Sequence, residues 1–427
     1  MADSLLIERL KQIMREAEQR GRVSVPRRER AADTPDNWLE PLIEVLGLEH
    51  LETDTGAVFI RRKALPASAV IGNVRLDQCL EAPEAYSLLN QQEHSHFEPR
   101  DALFLDTETT GLAGGTGTHV FLVGIGVFQH DEFVVSQFLM PDHCYERPML
   151  EAVACLVPNH RWIVSYNGKS FDVPLLETRY ALCRLASPFD QSTHFDLLHA
   201  ARRLWRNCCN LSLCSVERTL LGYERDADVP GYLIPSLFFD YLRTRNPCIL
   251  RPVLDHNTDD ICSMVALLGR MCAQIRHPLE SSRGATELLN LGRVFERAGE
   301  YSRSVECYST APSAVGDESS RMSALLRLAS LEKRRGRYKE ALELWNRLTA
   351  ASEHAAHAWT EIAKHLEHRE RDYHTAIKAC DSAISALTAQ PALSCNLLDE
   401  LLHRRRRLLD KLARQLKPCS APEAPAR

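Results

Sequence analysis

The sequence lacks long apolar segments and has little glycine or proline. Its longest apolar run extends from Val120 to Phe128, far short of the roughly 18 or more residues that a membrane-spanning helix requires. Glycine and proline number 19 and 21 among 427 residues, and 44% of the chain is hydrophobic. These values exclude a collagen-like, coiled-coil or disordered chain as a description of the whole protein. The chain therefore has enough apolar side chains to bury a sizeable core.

Neither an export signal nor a disulfide framework is expected. The N-terminus begins Met1-Ala2-Asp3 and soon meets Glu8 and Lys11, whereas a signal peptide has a basic start followed by an apolar region. The 14 cysteines are too dilute in 427 residues for a disulfide scaffold, and without an export signal they are expected to be reduced. We therefore expect a cytoplasmic protein with no membrane partner.

Length and charge divide the chain into regions. At about 150 residues per domain, 427 residues predict two to three domains. The formal net charge is −5, yet residues 276–427 carry 25 basic and 20 acidic side chains. The overall acidity therefore does not exclude nucleic acid as a partner, because the C-terminal region is basic and can contact phosphates or an acidic protein.

Residues 1–99 are predicted to form an N-terminal helical arm and a linker. Apolar residues at helical spacing predict a first helix over 6–17, and two prolines mark a linker over 23–37. A second helix is predicted over 38–51, and a short strand over 58–60. We expect this arm to pack on the next domain or to tether it.

Residues 100–276 are predicted to form an α/β domain. Runs rich in β-formers and runs with helical spacing alternate between turn residues. The predicted order is strands over 102–105, 120–128 and 133–139, a helix over 148–156, a strand over 162–166, a helix over 173–183 and a strand over 194–197. Three consecutive strands followed by this alternation indicate a mixed sheet with helices on its faces.

Residues 283–416 are predicted to be helical and to contain a repeat. Tyr301, Tyr338 and Tyr373 recur at intervals of 37 and 35 residues, close to the roughly 34 residues of a tetratricopeptide unit. A small residue follows each tyrosine three positions later, which lets paired helices approach closely. Three units and a capping helix over 393–416 predict a short solenoid for binding a partner or substrate. A plain helical bundle is the alternative.

Two carboxylates end the first strand of the α/β domain. Asp106 and Glu108 follow the apolar residues 102–105, and residues two apart in a strand point to the same face. Two carboxylates so placed repel each other unless a cation lies between them. Oxygen ligands of this kind suit hard divalent ions such as Mg²⁺ or Mn²⁺, although an isolated Asp-x-Glu pair is also common on protein surfaces.

Further acids are predicted to join this pair. Asp172 opens a helix soon after the strand over 162–166, and His256 and Asp260 lie four residues apart, hence on one helix face. The predicted site thus gathers a histidine and four carboxylates as metal ligands, namely Asp106, Glu108, Asp172 and Asp260. Such a set can hold two divalent cations about 3.5–4 Å apart, for water activation and stabilisation of the leaving oxygen of a phosphodiester.

These motifs resemble the DEDD 3′–5′ exonuclease superfamily, which has the RNase H-like fold. The three matching motifs are Asp106-x-Glu108, Asn167-x₃-Phe171-Asp172 and the segment that contributes Asp260. A wider set of motifs, ahead of the repeats, resembles the YprB-like bacterial proteins: Ser165-Tyr166-Asn167-Gly168, Phe195-Asp196-Leu197-Leu198, Asp228-Val229-Pro230-Gly231 and His256-Asn257-x₂-Asp260. The resemblance implies a metal-dependent 3′–5′ exonuclease that hydrolyses DNA or RNA ends with two Mg²⁺ or Mn²⁺ ions.

One departure concerns the histidine. The superfamily places Tyr four residues before the last Asp or His five residues before it, and here His256 takes the tyrosine spacing. If His256 acts like the family's histidine, it orients or deprotonates the attacking water. A structural histidine that contacts a neighbouring carboxylate is the alternative.

Other residues near the motifs are predicted to support the site. Thr107, Asn167 and Phe171 are expected to bind substrate or to position its loop, with Phe171 equally credible in the core. Asp196 is expected to cap a helix or to act as an outer-shell acid. Asp259 is about 100° around the helix from Asp260 and is expected to face solvent.

Two other functions compete with the exonuclease. The first is an endonuclease or structure-specific nuclease on the same fold. The second is a protein- or nucleic-acid-binding module without activity, which four intact carboxylates argue against. The residues leave open the choice of DNA or RNA, single or double strands, the partner of the repeats and the oligomeric state.

Overall fold

The computed structural model describes residues 38–81, 84–90, 97–111, 115–208, 210–226, 228–350, 354–389 and 395–416. One compact unit of the chain ends at His277, and a second begins at Pro278. The predicted helix over 6–17 and the linker over 23–37 lie outside the described residues. No helix in the described part of the chain is long and apolar enough to cross a membrane.

The first unit is built on a mixed β-sheet. Its strands are β1 (Glu49–Thr53), β2 (Gly56–Pro66), β3 (Val70–Ile71), β4 (Val74–Arg75), β5 (Ala102–Thr109), β6 (Val120–Gln129), β7 (Glu132–Leu139), β8 (Trp162–Ser165) and β9 (Thr193–Asp196). Seven of them form one sheet in the order β1-β2-β7-β6-β5-β8-β9. β8 pairs in parallel with β5 and β9, and the other pairs of this sheet are antiparallel. The predicted mixed sheet is therefore confirmed.

Helices cover this sheet. They are α1 (Leu39–Leu46), α2 (Ala85–Asn90), α3 (Glu146–Leu156), α4 (Asp172–Leu182), α5 (Leu197–Leu204), α6 (Leu213–Val216), α7 (Ile234–Thr244) and α8 (Arg251–Arg276). The long helix α8 packs on β5 and β6, and α3 packs on β2 and β7. β5, β6 and β8 are buried at nearly every residue, as expected for central strands covered on both faces.

The sheet includes residues that were predicted to lie in the N-terminal arm. The helix predicted over 38–51 ends at Leu46, because Gly47 adopts the left-handed conformation with φ 63°, which glycine reaches without steric cost. β1 follows, and the strand predicted over 58–60 extends over Gly56–Pro66. β2 pairs with β7 from Phe59 opposite Leu139 onward. Residues 49–66 thus belong to the sheet rather than to a separate arm, because a ladder to a distant strand orders them.

The second unit is helical throughout its described residues. Its helices are α9 (Pro278–Ser281), α10 (Ala285–Arg297), α11 (Tyr301–Thr310), α12 (Glu318–Arg334), α13 (Tyr338–Leu348), α14 (Ala355–His365), α15 (Tyr373–Thr388) and α16 (Cys395–Leu416), with short 3₁₀ and π segments after α11 and α14. Neighbours pack as the pairs α10–α11, α12–α13 and α14–α15.

Each of the recurring tyrosines begins the second helix of a pair. The small residues three positions later, Ser304, Ala341 and Ala376, are fully buried. At Ser304 the hydroxyl donates a hydrogen bond to the carbonyl oxygen of Gly292, 3.0 Å away on the partner helix. The helix pairs therefore have the spacing read from the sequence, and their assignment as tetratricopeptide units stays a prediction.

Candidate active site

Two acidic side chains project from the end of β5. Asp106 accepts a hydrogen bond from the Nδ2 atom of Asn257, on α8, at 2.7 Å. Glu108 is buried, and the pairing of β5 with β6 shifts register directly after it. The strand thus delivers both carboxylates to one end of the sheet, next to α8.

Asp172 reaches the same place from the first turn of α4. Its Oδ1 atom accepts a hydrogen bond from the hydroxyl of Thr107 at 2.5 Å, so β5 holds this carboxylate directly. The role of Thr107 in binding substrate stays a prediction, and its hydroxyl is engaged by this carboxylate. A helix N-terminus also favours a negative side chain. Asp172 is consequently fixed beside the strand that carries the first two acids.

The loop before α4 has a special backbone conformation. Asn167 lies in the left-handed region with φ 67°, and its N–H donates to Oδ1 of Asp196 at 2.9 Å. Asp196 also accepts from the N–H groups of Lys169 and Leu198, so it both caps α5 and orders this loop. A side chain at Gly168 would lie 2.4 Å from the Ser165 hydroxyl, which explains the glycine.

The last acid lies on α8, one turn after the histidine. His256 Nε2 is 3.7 Å from Asp260 and 4.0 Å from Glu108. Its Nδ1 is 2.7 Å from a carboxylate oxygen of Asp228. Because a charged carboxylate only accepts hydrogen bonds, this contact favours the neutral tautomer with its proton on Nδ1, in which Nε2 presents a lone pair to the acidic cluster.

A buried arginine was not foreseen from the sequence. The Arg225 side chain is 4% exposed, and it pairs with Asp260 and with Glu217. Its Nη1 atom is also 3.4 Å from Asp228 and from His256. The charges and hydrogen bonds of Asp260 and Glu217 outweigh burial and raise the pKa of Arg225. A fixed positive charge therefore lies at one side of the carboxylates.

The structure thus brings Asp106, Glu108, Asp172, His256 and Asp260 to one site at the end of β5. Phe171 is half-buried at the entrance to α4. Asp259 was expected to face solvent, but it is half-buried and its pKa is raised, chiefly by burial.

Comparisons with known proteins identify the family of this chain. Residues 103–272 match the RNase H superfamily. The chain is 32% identical over 315 residues to the uncharacterized protein YprB of Bacillus subtilis, an alignment that covers 71% of this chain and 76% of that protein. The chain belongs to the YprB-like proteins of the RNase H superfamily. The predicted resemblance to the YprB-like proteins and the RNase H-like fold class are thereby confirmed.

This YprB-like chain also shares structural similarity with the family B DNA polymerase of the archaeon Pyrobaculum calidifontis. The TM-score is 0.33 and the sequence identity is 15%. The similarity covers 54% of this chain and 30% of the polymerase.

The site of this YprB-like protein is electrostatically strained. Burial raises the pKa of the Asp106 carboxyl well above its usual range, and the charges of Asp260 and Asp172 raise it further. Burial and then the charge of Asp106 raise the pKa of Glu108. Burial also raises the pKa of Asp172 to about 6, although the hydrogen bond from Thr107 opposes the shift. Keeping these carboxylates charged costs free energy, which a cation among them would relieve.

The donor set fits divalent cations in its chemistry. All four carboxylates offer oxygen ligands, which Mg²⁺ and Mn²⁺ prefer. Within the described residues, however, no group of three or more Asp, Glu, His or Cys side chains is arranged to hold a metal ion as it stands. Asp260 is paired with Arg225 instead. A cation bound through Asp260 would therefore compete with this ion pair.

Three residues that support the site were not predicted from the sequence, although two of them lie within the sequence motifs of the site. Asn257 follows His256 directly, and Asp228 begins the Asp-Val-Pro-Gly segment. Arg225 lies three residues before that segment, and no local pattern distinguishes it from an exposed arginine. Asn257 also accepts a hydrogen bond from Gln137 on β7 at 2.8 Å, which fixes the amide that reaches Asp106.

Proposed function

We propose that this chain is a metal-dependent nuclease that removes nucleotides from the 3′ ends of DNA or RNA. The observation that carries the proposal is the convergence of four carboxylates and His256 at the end of β5, in a chain of the RNase H superfamily. The order of the three acidic motifs supports the site, whereas 3′–5′ polarity and exonuclease action are what the resemblance to the DEDD superfamily implies. The metal ligands in this proposal are Asp106, Glu108, Asp172 and Asp260.

The proposed chemistry divides between bound cations and the protein. Two Mg²⁺ or Mn²⁺ ions would supply an activated water and charge stabilisation for the leaving oxygen. Thr107 and Asn257 hold Asp172 and Asp106 in fixed orientations, so that the carboxylates are placed before substrate binds.

His256 is suited to handle a proton in this reaction. Asp228 holds its Nδ1–H, and its Nε2 lone pair lies on the side of Glu108 and Asp260. A water beside those carboxylates would lie within reach of Nε2, which can accept its proton as it attacks phosphorus. The Asp228 carboxylate would stabilise the imidazolium that results.

Phe171 and Asn167 are proposed to contact the substrate strand. Phe171 is half-buried at the residue before Asp172, and an aromatic ring in this position can stack on a terminal base. Asn167 keeps its left-handed backbone through its bond to Asp196, and it shapes the same loop.

A cleavage assay tests the proposal. Oligonucleotides of DNA and RNA, single- and double-stranded and labelled at the 5′ end, are incubated with the full chain and Mn²⁺ or Mg²⁺. We expect a ladder that shortens from the 3′ end and disappears with chelator and in Asp106→Asn. Glu177→Gln is the matched control, because Glu177 is exposed on α4, and it should cleave like the wild type.

Two outcomes would contradict this function. Cleavage of circular substrates at a rate similar to that of linear ones would identify an endonuclease. A well-folded wild type that binds oligonucleotides but cleaves none of them, with either metal, would identify a binding module without activity.

A further inference from the structure

The helical unit contains a cavity with an unusual lining. Its volume is about 220 Å³, and it lies among α12, α13, α14 and α16 and the turn after α14. The side chains around it are mainly cationic or aromatic, with one carboxylate: Lys333, Tyr338, Trp345, Glu361, Lys364, His365, His368, Arg369 and Arg404. We call this the basic cavity. None of its residues belongs to the carboxylate site of the first unit.

Positive charge exceeds negative charge at the basic cavity. Glu361 is its one carboxylate, and both Lys333 and Lys364 bond to it, at 2.5 and 2.6 Å. Arg404 bonds to Glu367, a fully buried carboxylate that also receives Arg407 and Lys411. Each carboxylate is thus shared by two or more cations, so uncompensated positive charge remains for an anionic ligand.

A hydrogen-bond donor in the lining is left unsatisfied. Trp345 is 1% exposed, and its Nε1–H has no hydrogen-bond partner among the described residues. The ammonium of Lys333 lies 5.9 Å from the centre of its ring. A buried donor without a partner costs about 1–3 kcal/mol, and a ligand oxygen that came within hydrogen-bond reach of Nε1 would relieve that cost.

A group of planar side chains, two of them stacked on each other, lies beside these cations. The guanidinium of Arg369 lies 4.1 Å above the ring of Tyr338, and the ring of His365 lies 6.0 Å from the same tyrosine. Cationic groups that meet phosphates, next to planar groups that stack on bases, are the combination found in grooves for single-stranded nucleic acid. An acidic peptide would use the cations but would have no need of the stacked planar groups.

We propose that the basic cavity binds a backbone phosphate of single-stranded nucleic acid, with Lys364 and Arg369 as its cations and Trp345 as its neutral donor. This inference rests on the proposed function in one respect, namely that the same chain acts on nucleic acid. It adds a second contact with the strand, separate from the carboxylate site and independent of metal.

The test measures binding by the full chain with chelator present, so that no cleavage occurs. The probe is a fluorescent oligothymidylate of about twelve nucleotides, within the usual site sizes for single strands, and fluorescence anisotropy gives its Kd. In Lys364→Gln/Arg369→Gln we expect Kd to rise at least tenfold. We also expect the slope of log affinity against log salt to fall by about 0.7 for each lost phosphate contact.

Matched controls use one lysine and one arginine of the same unit. Lys378 and Arg347 are exposed on α15 and α13 and do not line the cavity, so Lys378→Gln/Arg347→Gln should bind the probe like the wild type. Trp345→Phe keeps an aromatic ring but loses the N–H, and a several-fold weaker Kd is expected. Circular dichroism establishes that each variant is folded.

Equal Kd values for the wild type and the folded cavity variant would overturn the inference. The inference would also be wrong if the substitutions in the cavity abolished binding of an oligoglutamate peptide but left the Kd for oligothymidylate unchanged. Cleavage by the wild type under Mn²⁺ is measured separately. If the wild type cleaves and the cavity variant binds oligothymidylate as tightly as the wild type, only the inference about the basic cavity is wrong. If the cavity variant binds more weakly but the wild type cleaves nothing, only the proposed nuclease function is wrong.

Discussion

The charge of Asp172 makes the stability of the metal-free protein depend on pH. This carboxyl is buried, and its pKa is raised from 3.8 to about 6. The folded protein therefore binds this proton more tightly than the unfolded chain does. The resulting stabilisation is fully present below about pH 3.8, the ordinary value, and it is lost as the pH rises through the folded value. At neutral pH the charged Asp172 destabilises the metal-free fold.

Asp172→Asn removes that cost. A shift of about two pKa units corresponds to about 3 kcal/mol, so the substitution should raise the free energy of unfolding by about 3 kcal/mol at about pH 8. At about pH 4.5 the Asp172 carboxyl is largely protonated in the folded protein, so the increase in the free energy of unfolding should be only about 1 kcal/mol. The amide oxygen of Asn can still accept the hydrogen bond from Thr107, so the substitution changes charge more than shape.

Calorimetry of the full chain with chelator measures the effect. About 3 kcal/mol corresponds to a rise in Tm of about 6–12 °C for a unit of this size. Glu177→Gln, on the exposed face of the same helix, should leave Tm unchanged at both pH values. Added Mn²⁺ should stabilise the wild type and not Asp172→Asn. A lower Tm for Asp172→Asn at about pH 8, or the same shift at both pH values, would refute the electrostatic reasoning.

Three further substitutions test the residues around the carboxylates. Gly124→Ala would place its Cβ 2.2 Å from the Asn257 side-chain oxygen and should cost about 1–3 kcal/mol by overpacking, measured by urea unfolding; an unchanged midpoint contradicts this. Asp228→Asn removes the carboxylate that holds His256, and kcat for cleavage should fall about 10- to 100-fold with little change in KM; an unaltered kcat would show that the contact is only structural. Arg225→Met leaves buried carboxylates without their guanidinium and should cost about 3–5 kcal/mol at neutral pH. Urea unfolding of the metal-free protein measures this cost, and a change below about 1 kcal/mol would argue against the ion pair.

The sequence determined the parts of this protein that depend on local pattern. Apolar residues followed by Asp106 and Glu108 predicted a strand that ends in two carboxylates, and the four-residue spacing of His256 and Asp260 predicted one helix face. Both expectations match β5 and α8. The recurrence of Tyr301, Tyr338 and Tyr373 at intervals of 37 and 35 residues likewise corresponds to a recurrence of helix pairs, since each tyrosine begins the second helix of a pair.

Only the tertiary structure decided which distant groups meet the carboxylates. Asn257 bonds to Asp106 across 151 residues of chain, and the hydroxyl of Thr107 bonds to Asp172. Arg225 reaches Asp260 from a loop whose sequence has no distinctive pattern. β2 likewise joined the sheet through its ladder to β7. These contacts depend on how strands and helices pack in space, and hydrophobic periodicity specifies which face of an element is buried but not which partner it meets there.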